Sequence, residues 1–161
     1  MSRHVVAVRR SDGTQHVVSA PEGAYVGAPT MSPDGRWIAY VSNETGRSEV
    51  YVRPLPDPAA GKWLVSTDGG VLPRWSPTGH ELFFNAPVHR LMSATYRATP
   101  TFAVERRDVV LSDSVAAALG LTGAYEVAPD GQRFLMSIAR NEGFGLMMVD
   151  NWFEELKRKV R

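Results

Sequence analysis

The sequence predicts an all-β fold of repeated four-stranded antiparallel units, and three observations predict it. First, the turn Ser32-Pro33-Asp34-Gly35 recurs as Ser76-Pro77-Thr78-Gly79 and as Ala128-Pro129-Asp130-Gly131, with the prolines 44 and then 52 residues apart. Second, each copy is followed by a run that is apolar on both faces: Ile38-Ala39-Tyr40-Val41, Leu82-Phe83-Phe84 and Phe134-Leu135-Met136. Such runs suit strands covered from both sides. Third, Gly 14 and Pro 11 make up about 16% of 161 residues, which fits many short strands better than long helices.

The elements follow in chain order. His4 to Val8 and His16 to Ser19, joined by Ser11-Asp12-Gly13, read as the last two strands of a unit spanning residues 3–19. The first complete unit covers 26–66: a strand ending at Met31, the apolar strand after Gly35, a third at Glu49-Val50-Tyr51-Val52 and a fourth at Trp63-Leu64-Val65-Ser66. Asn43-Glu44-Thr45-Gly46 makes its hairpin loop. The second complete unit covers 71–111, with its third strand at Leu91 to Tyr96 and its fourth at Val109-Val110-Leu111. Ser114 to Gly120 reads as an inserted helical turn or loop and explains the longer second spacing. Three strands follow in 123–150, and 152–160 reads as a short amphipathic helix, with apolar residues at 152, 153, 156 and 160, acids early and bases late.

A repeat near 44 residues is the period of propeller blades. The fold class is therefore all-β, a partial β-propeller of about three to three and a half four-stranded blades with a C-terminal helix. Just before each turn, Met31, Trp75 and Val127 hold one position and Thr30, Arg74 and Glu126 the one preceding it. The first is apolar in every copy and the second polar, an alternation that predicts one face inside and one outside.

The Ser-Pro-Asp-Gly copies and the strands around them (Thr30 to Tyr40, Gly69 to Pro77, Tyr125 to Leu135) resemble the WD-like β-propeller repeats of the TolB type. Gln132-Arg133-Phe134-Leu135, then Val149-Asp150-Asn151-Trp152 and a basic helix, resembles the C-terminal end of propellers linked to bacterial serine/threonine kinases. The resemblance implies blades around a channel, with ligands, peptides or partner proteins bound at its mouth or rim. Thr30, Arg74 and Glu126 would then line the channel and are the candidate ligand-binding residues. A structural polar belt, or side chains that simply point at solvent, is the alternative for the same three.

Catalysis is not expected. The chain has neither a Gly-x-Ser-x-Gly elbow nor a kinase phosphate loop, His-Arg-Asp or Asp-Phe-Gly element. The histidines His4, His16, His80 and His89 share no metal-ligand spacing, so neither metal nor cofactor is expected. Asp34 and Asp130 read as turn caps. Trp37 and Trp63, whose repeat partners are polar, are left as a possible exposed stacking surface for sugars. A net charge of +1 excludes a broad nucleic-acid footprint, and no apolar run is long enough to span a membrane.

A protein or peptide partner is expected instead. A partial ring leaves apolar faces and strand edges uncovered. Three arrangements relieve this: a longer parent chain, pairing of residues 4–19 with the 123–150 unit, or two copies joined head to tail in a ring of about six blades. The sequence predicts the dimeric ring for the isolated chain. Met1 to Arg10 holds no apolar leader core, so the chain as given is expected in the cytoplasm. As part of a longer kinase-linked or TolB-like parent it is expected outside it.

Overall fold

Each of the three repeated turns is closed by the same local hydrogen bond. Gly35 donates its N–H to Ser32, Gly79 to Ser76 and Gly131 to Ala128. Asp34 accepts from the Arg36 N–H at 3.0 Å and Asp130 from the Gln132 N–H at 3.0 Å, so both cap their turns. These turns launch the second strand of each of three sheets in a computed structural model that describes residues 4–19, 22–140 and 143–149.

The strands are β1 (Val5–Val8), β2 (Gln15–Ser19), β3 (Val26–Met31), β4 (Trp37–Ser42), β5 (Glu49–Pro54), β6 (Trp63–Leu64), β7 (Val71–Trp75), β8 (Glu81–Asn85), β9 (Leu91–Arg97), β10 (Ala103–Leu111), β11 (Leu121–Val127), β12 (Phe134–Arg140) and β13 (Gly143–Val149). They form antiparallel sheets ordered β1-β2, β3-β4-β5-β6, β7-β8-β9-β10 and β11-β12-β13. The α-helix α1 (Asp113–Leu119) sits at the predicted insertion and ends on Gly120, whose φ is 66°. The expected C-terminal helix over 152–160 lies outside the described residues.

Alternation along the second strand of each sheet decides the packing. Ile38 and Tyr40 join Val5, Val18 and Tyr51 in a core between the first and second sheets. Trp37, Ala39 and Val41 face the other way and meet Leu82, Phe84 and Ala94 of the third sheet. Phe83 turns to the far side and packs with Phe134, Met136 and Ile138 of the fourth. Three apolar cores thus lie between sheets stacked face to face, and β4 is buried along its whole length. The fold is a partial β-propeller.

Two expectations need correction. Met31 is 54% exposed rather than inside. Its counterpart Trp75 packs against the preceding four-stranded sheet, whereas the sheet preceding Met31 has only two described strands. Trp37 and Trp63 are not an exposed platform: Trp37 is buried and Trp63 half-buried, edge to face at 5.6 Å, with Phe102 against both. Among the described residues, β1-β2 does not pair with β13.

Candidate functional site

The innermost strands β3, β7 and β11 share an irregularity. The register to the second strand slips between Gly27 and Thr30, between Val71 and Arg74, and between Leu121 and Tyr125. Ala28, Leu72 and Gly123 sit at these bulges with φ of 49°, 53° and 90°. Left-handed backbone is strained for Ala and Leu, and such strain persists only where the surroundings enforce it. Here Pro29 and Pro73 follow the strained residues and cannot donate to a ladder. Bulges bend a strand and re-aim its side chains.

Beyond the bulges, the ends of the three strands meet. Thr30, Arg74 and Glu126 line one cavity of about 330 Å³, with Met31, Trp75 and Val127 among its walls. The Arg74 Nε donates to Glu126 Oε1 at 3.3 Å, and Arg74 Nη1 to the Pro73 carbonyl at 3.0 Å. Thr30 contributes through its backbone as well: its carbonyl accepts from the Trp75 indole at 3.1 Å. One sheet further on, the Tyr125 hydroxyl donates to the Leu72 carbonyl at 2.9 Å. Burial pushes the Tyr125 pKa up, which keeps this donor neutral. The backbone around the cavity is therefore fixed between sheets, while the Arg74–Glu126 pair stands at the surface with Glu126 66% exposed.

The guanidinium and carboxylate present donors and an acceptor beside apolar walls, with Thr30 as a neutral partner. Among the described residues, no three His, Asp or Glu side chains gather as cation ligands. Asp34 is engaged in its turn. Partial burial opposes its ionisation, but hydrogen bonds from the Ser32 hydroxyl and the Arg36 N–H outweigh this and hold its carboxyl below the usual range. Asp130 is lowered chiefly by the Gln132 N–H, with Arg133 assisting. His80 is exposed at the mouth of a turn. The bulges at Ala28 and Leu72 were not anticipated, although a proline inside a strand (Pro29, Pro73) is the signal that marks such a site.

Solved structures share this architecture. The chain matches TolB from Acinetobacter baumannii with a TM-score of 0.61 at 16% identity, over 92% of this chain and 38% of that one. The fold is that of a TolB-like β-propeller. It also matches a prolyl endopeptidase (TM-score 0.60, 15% identity, 87% of this chain and 23% of that one). A third match is oligogalacturonate lyase from Vibrio parahaemolyticus (0.57, 11%, 84% and 36%). This chain thus spans about a quarter to two fifths of the length of these neighbours. No protein-family model and no curated protein sequence matches it.

Proposed function

We propose that the chain is a non-enzymatic propeller scaffold that binds a protein or peptide at the axial cavity. The observation that carries this reading is the convergence of Thr30, Arg74 and Glu126, one from each of three successive sheets, on a cavity whose ion pair is not consumed by packing. A peptide library selected against the immobilised chain tests it. Binders that lose the R74A/E126A double variant support the reading; a selection that enriches nothing, or enriches equally on both, ends it.

The scaffold is completed by a second copy when the chain stands alone. Leu135, 39% exposed on the last sheet, holds the repeat position of Ala39 and Phe83, which face the next sheet inside the stack. Leu146 beside it is 78% exposed, and the first sheet turns Val6, Val8 and Val17 outward. Both end faces therefore carry the apolar residues that fill the internal gaps. Sedimentation at micromolar concentration is expected to show a dimer, and a clean monomer rules the dimeric ring out.

A second reading makes the segment the sensor or regulatory end of a larger enzyme, a bacterial serine/threonine kinase or a propeller-gated peptidase. The similarity to a far longer prolyl endopeptidase chain supports it. The coding sequence before Met1 separates the two: a kinase domain and a membrane span there favour this reading, and a ribosome site directly before Met1 counts against it.

A further inference from the structure

Among the described residues no sheet follows the fourth, although its outer face repeats the face on which it is itself seated. Counted from the turn prolines, Ala124, Leu135 and Ser137 hold the positions of Leu72, Phe83 and Asn85. Leu146 pairs with Ser137 as Leu91 pairs with Asn85, so these two correspond as well. All four residues of the earlier sheet receive β11. The Leu72 carbonyl accepts from the Tyr125 hydroxyl at 2.9 Å, and the Asn85 amide donates to the Gly123 carbonyl. Phe83 and Leu91 share one core with Tyr125. One residue further along β11, Glu126 faces back to Arg74 at 3.3 Å.

On the fourth sheet, Ala124, Leu135, Ser137 and Leu146 line a cavity of about 250 Å³. Arg74 and Glu126 line it too, and it shares both with the axial cavity. The volume is below that of a drug-sized ligand pocket and suits a single side chain. The first sheet has two described strands, which read as the third and fourth of a unit. A second copy stacked through that sheet therefore brings no counterpart of β11 to this cavity.

We propose that the cavity binds an extended peptide segment of a partner protein, whose tyrosine seats against Ala124, Leu135 and Leu146 as Tyr125 seats one sheet earlier. The residue after this tyrosine faces Glu126 as Glu126 faces Arg74. Glu126 is acidic and exposed, so a base is its complement, and the ligand class is a segment carrying Tyr-Arg or Tyr-Lys. This inference rests on the reading of the axial cavity as a peptide site and extends that site across the face of the last sheet.

The probe is the dye-labelled pentapeptide Gly-Ala-Tyr-Arg-Val, which is residues 123–127 with arginine in place of Glu126. Fluorescence polarisation against the full chain is expected to show saturable binding. Phenylalanine in place of the peptide tyrosine weakens it about two- to tenfold, the loss of one hydrogen bond. Glutamate in place of the peptide arginine weakens it about threefold or more. L135A weakens the tyrosine peptide and leaves one with alanine in that place unchanged, because the tyrosine is what touches Leu135. V8A, on the first sheet, alters neither. Binding indifferent to the tyrosine, equal affinity of the arginine and glutamate peptides, or no binding because a second copy holds the pocket overturns the proposal. Library peptides that lose R74A/E126A but ignore L135A also overturn it and leave the axial reading standing, whereas a library that yields no binders ends both.

Discussion

The indole N–H of Trp75 donates to the Thr30 carbonyl at 3.1 Å, tying the innermost strand of one sheet to that of the sheet before it. The same ring lies edge-on to Tyr96 at 5.2 Å and to Phe102 at 6.5 Å. Trp75 therefore belongs to the stack through packing and through one directional bond. W75A is expected to cost about 3–5 kcal/mol, the range for deleting a buried aromatic side chain. W75F keeps a ring in the gap and gives up the hydrogen bond, for about 1 kcal/mol. Urea unfolding of both variants checks this; equal losses would show that the bond, and not the ring, holds the two sheets.

The parts of the fold legible in the sequence are those decided locally. The repeated turns carry their own chemistry in Asp34, Asp130 and the closing glycines, and alternation along Ile38 to Val41 assigns each side chain to one of two cores. Met31 was misjudged because its exposure depends on how many strands the neighbouring sheet has. Trp37 was uncertain because its repeat partners, Glu81 and Arg133, are polar. Its burial is decided by Trp63 and by Phe102, which arrives from the next sheet. At the cavity, the recurrence of Thr30, Arg74 and Glu126 was readable from spacing. Their convergence depends on the bulges, whose positive φ at Ala28 and Leu72 no propensity favours.

Glu49 is expected to be a strong determinant of stability. Its carboxylate, 3% exposed, accepts from the Ser66 hydroxyl, from the Gly69 N–H at 3.1 Å and from Arg47 at 2.8 Å. It thereby fixes the corner between β6 and β7. E49A leaves the Gly69 donor and the Ser66 hydroxyl without this partner, at about 3 kcal/mol. E49Q keeps one acceptor and is expected to lose about half as much. Denaturant midpoints measure both, and an E49A variant as stable as the parent would show that the corner holds without the carboxylate.

Gly120 and Gly13 separate a steric clash from backbone strain. Both have positive φ, 66° and 72°. A Cβ at Gly120 would lie 2.6 Å from the Ala139 carbonyl oxygen, whereas one at Gly13 meets nothing within 4 Å. G13A is expected to cost only the left-handed penalty of about 1 kcal/mol. G120A adds displacement of β12 from the end of α1, and its Tm is expected to fall clearly further. Equal shifts would mean that the helix end moves freely away from the sheet.

Tyr96 sets an alkaline limit. Its hydroxyl donates to the Gly79 carbonyl at 2.8 Å, and burial, reinforced by the negative charge of Asp34, pushes its pKa up to about 12 from an ordinary value of 10. Between these values the unfolded chain has released a proton that the folded chain still holds. The folded state therefore binds more protons, and stability falls as pH rises. The contribution of Tyr96 is whole below pH 10 and is lost on the way to pH 12. Y96F gives up the hydrogen bond, so it is expected to be less stable than the parent at pH 8. Because it cannot ionise, the difference should narrow steadily above pH 10. Denaturant midpoints of both proteins from pH 8 to 11.5 test this, and parallel curves across that range would mean that the Tyr96 hydroxyl titrates in the folded state as it does in water.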